Sequence, residues 1–273
     1  MPALRDRLPA LAALAIPVMV GAIWMATSGA PSHYPLVNLG VLLLASAWMA
    51  FGRGPHTALS RHLLFAAMIV LMLAAIAVGP AVEGISGQRI ARWFPVGPLN
   101  LHTGMIAVPP LVVLAARNRV LAAPILLAGL GVAFLQPDAA SGFALTFAAI
   151  GIHHVTRDWK TAVTAIIGFG ASIAMALRGE LPPQPFVERV FVDAASQSPF
   201  LAILLLAALV ASFLLLLFSI PFARDKRFGL AGALFGFTAI AAMNHYPTPF
   251  IGYGAAPIIG FGLALGLHRI PQR

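Results

Sequence analysis

Cysteine is absent from all 273 residues, which removes disulfides, thiolate metal ligands and a cysteine nucleophile from consideration. Charge is almost as scarce. Only 9% of the chain is Asp, Glu, Lys or Arg, whereas a soluble domain carries roughly a quarter. No HExxH, Walker or glycine-rich nucleotide fingerprint occurs either. Residues that would cover a water-facing globule are therefore missing, and a soluble fold is excluded.

What fills the chain instead is apolar: 60% of residues are hydrophobic, in long runs broken by short polar clusters. Continuous runs indicate membrane-crossing helices, while a β-barrel would alternate apolar and polar positions. The pattern predicts an all-α integral membrane protein of about ten spans in a single polytopic domain, residues 1–273. The spans fall near 8–28, 35–52, 60–80, 101–117, 119–136, 138–155, 159–178, 198–221, 226–243 and 250–268. Arg5 and Arg7 ahead of an apolar run have the order of a signal peptide. The run from Leu8 to Ala26 is long enough to span, however, so an uncleaved first helix is expected.

The net charge of +9 invites a nucleic-acid reading, but its distribution answers otherwise. With the N-terminus in the cytoplasm, thirteen of the 17 basic residues fall inside: Arg5, Arg7, Arg53, Arg61, Arg117, Arg119, Arg157, Lys160, Arg224, Lys226, Arg227, Arg269 and Arg273. Only Arg89, Arg92, Arg178 and Arg189 fall outside. The positive-inside rule thus orients the chain with both termini cytoplasmic and accounts for the basic excess without nucleic acid. Five of the eight acids (Glu83, Asp138, Glu180, Glu188 and Asp193) lie on the outer side, with the two longest loops, 81–100 and 179–197. Chemistry is expected there.

The first outer loop, GISGQRIARWFPVGPLNLH, carries Arg89, Arg92 and Trp93 before a Gly97-Pro98 turn. A guanidinium beside a flat ring suits a phosphate or sugar, and equally an interfacial belt. In FLQPDAAS, Gln136 and Asp138 sit at the junction of two spans. An acid there is either a helix N-cap or a functional group. The second loop, RGELPPQPFVERVFVDAASQSP, has Phe186, Val187, Val190, Phe191, Ala194 and Ala195 at helical spacing. That stripe predicts a short amphipathic helix on the outer surface, with Glu188, Arg189 and Asp193 off it. The polar face is either simply solvated or presents an acid over the membrane as a general base. His102 and His245 lie near the same side, and no spacing rule assigns any of the eight histidines to a metal.

Three segments in order resemble the SEDS family of bacterial shape, elongation, division and sporulation proteins, the RodA/FtsW-like proteins. ARWFPVGPLNLHTGMIAVPPLVVLAA is similar to the family's R-W-I-x-x-G-P-L-x-F-Q-P-S-E, with His102, Thr103, Gly104 and Met105 in place of Q-P-S-E. LQPDAASGFAL is similar to Q-P-D-x-G-T-A, and PTPFIGYGAAPIIGFGLALGL to L-P-F-x-S-Y-G-G-S, with Gly252 and Ala256 in place of its serines. LPPQPFVERVF resembles L-P-E-x-H-T-D-F-I-F, the stretch with the family's proposed catalytic acid. The resemblance implies a peptidoglycan glycosyltransferase of the bacterial inner (cytoplasmic) membrane. Its substrate would be a polyprenyl-pyrophosphate-linked sugar of lipid II type, and its partner a class B penicillin-binding protein. A divalent cation is left open as cofactor. Glu188, one residue beyond the aligned Val187, takes the catalytic role, with Asp193 behind it. Arg92 and Trp93 are placed near the pyrophosphate, with Arg89, Gln136, Asp138, Arg189, His245, Pro249 and Tyr253 completing the substrate site. The alternative is an inactive scaffold, or a lipid-carrier binding or transport protein, that keeps the fold without the chemistry.

Overall fold

The computed structural model describes residues 5–52, 54–85 and 87–267. Arg53, Arg269 and Arg273, assigned to the basic side, lie outside the described residues, as does the end of the tenth expected span. Each of the ten expected segments is helical. They are α1 (Leu8–Thr27), α2 (His33–Phe51), α3 (Ala58–Val78), α4 (Thr103–Arg117), α5 (Arg119–Leu135), α6 (Ala139–Thr156) and α7 (Trp159–Arg178), then α9 (Pro199–Phe218), α10 (Arg224–Met243) and α11 (Ala255–Leu265). A short α8 (Val190–Gln197) precedes α9. Six helices, α1, α2, α3, α6, α7 and α9, are long and apolar enough to cross a membrane, whereas α4, α5 and α11 are shorter apolar helices. The chain is an all-α membrane protein.

Local chemistry sets the boundaries. Thr57 and Ser60 form a capping box at the start of α3, and Asn118, Asp138 and Asp158 accept backbone N–H groups at the starts of α5, α6 and α7. Pro109 and Pro110 lie inside α4, whose residues from Thr103 to Ala116 are all buried. Neighbouring helices, not lipid, surround the backbone groups those prolines free.

Two boundaries differ from expectation. The outer helix starts at Val190, not Phe186, because Phe186 and Arg189 adopt positive φ (65° and 59°) after the prolines at 182, 183 and 185. Glu188 therefore sits in a turn ahead of the helix. The last helix starts at Ala255, not 250, since the chain from Asn244 to Gly254 is committed to other contacts.

The first outer loop also holds structure that helix-period reasoning overlooks. Strands β1 (Val82–Glu83) and β2 (Arg89–Ile90) form one hairpin, and β3 (Trp93–Val96) and β4 (Leu99–His102) a second. The second hairpin turns through Gly97 at φ 56° and pairs Trp93 with His102. It delivers the chain directly into α4.

The core runs as one connected cluster from α1 to α11. At its centre α6 and α10 come into backbone contact. A Cβ at Gly232 or Gly236 would collide with the carbonyl oxygens of Phe147 and Phe143, so only glycine permits the approach.

Candidate functional site

One cavity of roughly 530 Å³ opens where the outer segments meet. Its wall is built by Trp93 and His102 of the second hairpin, by Leu181 to Gln184 with Val187 and Glu188, and by Pro247, Thr248 and Tyr253 to Pro257. These pieces are far apart in sequence, and specific bonds draw them together.

The 244–254 segment is the hub. Thr248 N–H donates to the Val187 carbonyl (3.0 Å) and Tyr253 N–H to the Phe186 carbonyl (2.7 Å), fastening it to the second outer loop. Asn38, fully buried in α2, grips the same segment twice: Nδ2 donates to the Gly252 carbonyl (2.9 Å), and Oδ1 accepts Gly254 N–H (3.1 Å). The Tyr253 ring stacks on Tyr34 at 3.7 Å with 6° between planes. Ile85 N–H donates to the Glu180 carbonyl (3.0 Å), joining the first outer loop to the second. The wall is thus a backbone-braced surface rather than a set of loose loops.

Behind it lies a buried polar layer. Arg92 is 0% exposed, with its guanidinium 4.8 Å from the Trp93 ring and 4.6 Å from the Tyr246 ring, and Nη1 donates to the Gly179 carbonyl (3.2 Å). The rings satisfy the cation by their π faces. Tyr246 in turn donates its hydroxyl to Gly179 O (3.3 Å) and accepts Ala139 N–H (3.4 Å). Gln136 donates Nε2 to the carbonyl of Met72 and to Thr103 Oγ1, the latter at 3.4 Å.

Asp138, fully buried, is the N-cap of α6. Oδ1 accepts Ser141 N–H (3.3 Å), and Ser141 Oγ donates to Oδ2. Burial alone would raise its carboxyl, but the His102 imidazole, the Arg92 charge and the Ser141 hydroxyl outweigh burial and hold it at about 2. His102 Nδ1 accepts Met105 N–H (3.3 Å) as the N-cap of α4, which places its ring proton on Nε2. That nitrogen points at Asp138 Oδ1 from 3.5 Å, long for a hydrogen bond. Nδ1 is thus committed to capping α4, while Nε2 faces Asp138 without a hydrogen-bond partner, and the residue lines the cavity.

Glu188 differs. Its carboxyl lines the cavity, is 8% exposed, and accepts Gln184 N–H at Oε2 (2.8 Å). Burial pushes it above its ordinary value of 4.5, against the opposing pull of the Gln184 N–H and of Arg92. A carboxylate moved up in this way is a better proton acceptor near neutral pH.

Of the residues singled out from sequence, Trp93, Glu188 and Tyr253 meet on the cavity wall. Arg92, Gln136 and Asp138 form the buried layer behind it. Arg89 and Arg189 are exposed, Asp193 sits on α8, His245 pairs with Glu180 (3.2 Å), and Pro249 is buried; none of these five lines the cavity. Among the described residues no group of three or more His, Asp or Glu could hold a metal ion. Asn38, Tyr246 and Thr248 escaped sequence reasoning. Asn38 left a signal, a single amide within the apolar run HYPLVNLGVLLL.

No protein-family model and no curated protein sequence matches the chain. Among solved structures, the rod shape-determining protein RodA of Thermus thermophilus matches with a TM-score of 0.63 at 21% identity, covering 94% of each chain. The chain therefore has the fold of RodA, a SEDS-like fold.

Proposed function

We propose that this SEDS-like membrane protein is a glycosyltransferase that polymerises a polyprenyl-pyrophosphate-linked sugar of lipid II type at the outer cavity. It would serve peptidoglycan synthesis during cell elongation or division in the bacterial cytoplasmic membrane, beside a class B penicillin-binding protein. The observation that carries the proposal is Glu188: a largely buried carboxylate with raised proton affinity, on the wall that the outer segments build together.

In this reading an acceptor sugar hydroxyl binds in the cavity, with its ring against Trp93 or Tyr253. Glu188 takes the hydroxyl proton as the oxygen attacks the anomeric carbon of the donor. The bond from that carbon to the pyrophosphate oxygen breaks, and the polyprenyl pyrophosphate leaves with the electron pair. Arg92 acts on this charge through space, since its guanidinium is buried behind the wall against the Trp93 ring. Removing a positioned general base typically lowers turnover by about a hundredfold or more. Purified chain and its Glu188→Gln variant, each with the cognate penicillin-binding protein, are compared for glycan formed from lipid II on gels. Polymer from the wild type and at least a hundredfold less from the variant is the expected result. Equal yields would remove Glu188 from the chemistry.

One observation favours a second reading, an inactive scaffold or lipid-carrier binding protein: among the described residues no Arg or Lys lines the cavity. It predicts no polymer from the wild type and undiminished cellular function in Glu188→Gln.

A further inference from the structure

Two residues of the outer cavity wall, His102 and Thr248, carry a buried side-chain polar atom with no hydrogen-bond partner among the described residues. In His102 that atom, Nε2, faces the Asp138 carboxylate and has an electrostatic partner there. Thr248 differs. The residue is 3% exposed, and its Oγ1 can both donate and accept. A buried hydroxyl left unpaired costs stability, and valine would fill nearly the same volume without that cost.

The rest of Thr248 is held fast. Its N–H donates to the Val187 carbonyl (3.0 Å), and its carbonyl accepts Gly252 N–H (3.3 Å). Pro247 precedes it and Pro249 follows. A residue before proline is restricted to extended backbone, and a β-branched side chain has few χ1 settings. The hydroxyl is thus the one unpaired group on a residue whose direction is fixed. Where the family's L-P-F-x-S-Y-G-G-S begins with leucine, this chain has Thr248.

The bond to Val187 sets Thr248 beside the residue that precedes Glu188, so hydroxyl and carboxyl belong to adjoining strips of one wall. Trp93 and Tyr253 line the same cavity, whose volume suits a ligand of sugar size. A pyranose carries hydroxyls or amides on neighbouring ring carbons, and its faces are apolar. Carboxyl, hydroxyl and flat rings on one wall match that pattern. An acyl chain would leave the hydroxyl unpaired. A phosphate would find no Arg or Lys among the described lining residues.

Resting on the glycosyltransferase reading, we propose that Thr248 binds the acceptor sugar. Its hydroxyl hydrogen-bonds a polar substituent beside the hydroxyl that Glu188 deprotonates. Contact at Glu188 alone leaves the ring free to turn about one oxygen, and a second contact on the ring fixes its orientation. No covalent bond forms or breaks at Thr248.

The test uses the full chain in neutral detergent, with retained lipid II counted by native mass spectrometry. Thr248→Val removes the hydroxyl at nearly constant shape, and Thr248→Ser keeps it. Thr248→Val should lower lipid II retention about tenfold, the equivalent of one hydrogen bond of about 1.4 kcal/mol. Thr248→Ser should restore most of that loss. Retention of a polyprenyl pyrophosphate without sugar should be the same in all three proteins. Thr248→Val should melt at or above the wild-type temperature, since no bond within the free chain is lost. Wild type that retains no lipid II would bring down the glycosyltransferase reading and this inference together. If wild type retains it, four results would overturn the inference alone: equal retention by Thr248→Val, no rescue by Thr248→Ser, an equal loss of the sugar-free lipid, or a lowered melting temperature in Thr248→Val.

Discussion

Asp138 in the buried layer and Glu188 on the cavity wall have their proton affinities moved in opposite directions, and burial is common to both. What separates them is the company each keeps. Asp138 has an imidazole, a hydroxyl and a guanidinium around it and is held at about 2, whereas Glu188 has chiefly one backbone N–H and is pushed up from 4.5. For Asp138 the folded chain binds its proton less tightly than the unfolded chain, so stability rises with pH through this range. Its contribution is present above about pH 4 and is lost as pH falls toward 2. The shift from 3.8 corresponds to about 2 kcal/mol. Thermal melts in detergent at pH 5 and pH 2.5 should show wild type losing that amount in acid, while Asp138→Asn starts lower by a similar amount and varies less. Glu188 has the reverse sign, because its raised affinity keeps the proton on to higher pH. Glycan synthesis should therefore rise with pH through a midpoint above 4.5, and Glu188→Gln should leave a low, flat profile. A wild-type profile already flat above pH 4 would remove Glu188 as the base.

At the scale of elements, the long apolar runs were readable because a helix in lipid must satisfy its own backbone. Length and composition then leave few choices, and α1 to α7 start and stop close to where hydropathy and caps place them. The hairpins of the first outer loop were missed for a physical reason. They are two to four residues per strand, shorter than a period test can resolve, though Trp93, Phe94 and Val96 have strand-forming side chains ahead of a glycine turn. The cavity wall was legible only in part. Trp93, Glu188 and Tyr253 are polar or aromatic residues beside breaks in the chain and stand out. Their convergence depends on Asn38, whose partners lie more than two hundred residues away, and no local pattern reports such a bond. Arg92, placed near the pyrophosphate by the family resemblance, lies fully buried behind the wall, where the Trp93 and Tyr246 rings make burial of its charge tolerable. The Asn38 clamp can be tested directly. Asn38→Leu leaves the Gly252 carbonyl and Gly254 N–H unpaired, at about 1–3 kcal/mol each. The variant should melt earlier by the equivalent of about 2–6 kcal/mol and become cleavable within residues 244–254 under limited proteolysis. Asn38→Asp keeps the acceptor for Gly254 but faces the Gly252 carbonyl with a like partial charge, so it should fall between. Unchanged proteolysis in Asn38→Leu would mean that other contacts hold the hub.

Across the whole molecule, the outer cavity depends on the bundle beneath it, and lipid offers no hydrophobic force to hold helices together. Close packing must do so, and small residues decide how close. The α6–α10 contact is central to that packing: α6 carries Asp138 at its head, and α10 ends at Asn244, where the hub segment begins. Moving these two helices apart would shift the buried layer and the hub together. Gly232 and Gly236 stand one turn apart against the carbonyls of Phe147 and Phe143, with no room for a methyl group. Gly170 in α7 has nothing within 4 Å of where its Cβ would be. The same substitution should therefore act with opposite sign at the two places. Gly170→Ala gains helix propensity and should be neutral or stabilising by up to about 1 kcal/mol. Gly232→Ala must push two backbones apart and should cost about 1–3 kcal/mol, with Gly232→Ala/Gly236→Ala worse than either alone. Because the strain is transmitted to both ends of α6 and α10, the double variant should also lose glycan synthesis while Gly170→Ala retains it. Melting curves and lipid II assays on the same preparations separate the outcomes. A double variant that melts like wild type would show that the seam can open without loss and that the cavity is supported from elsewhere.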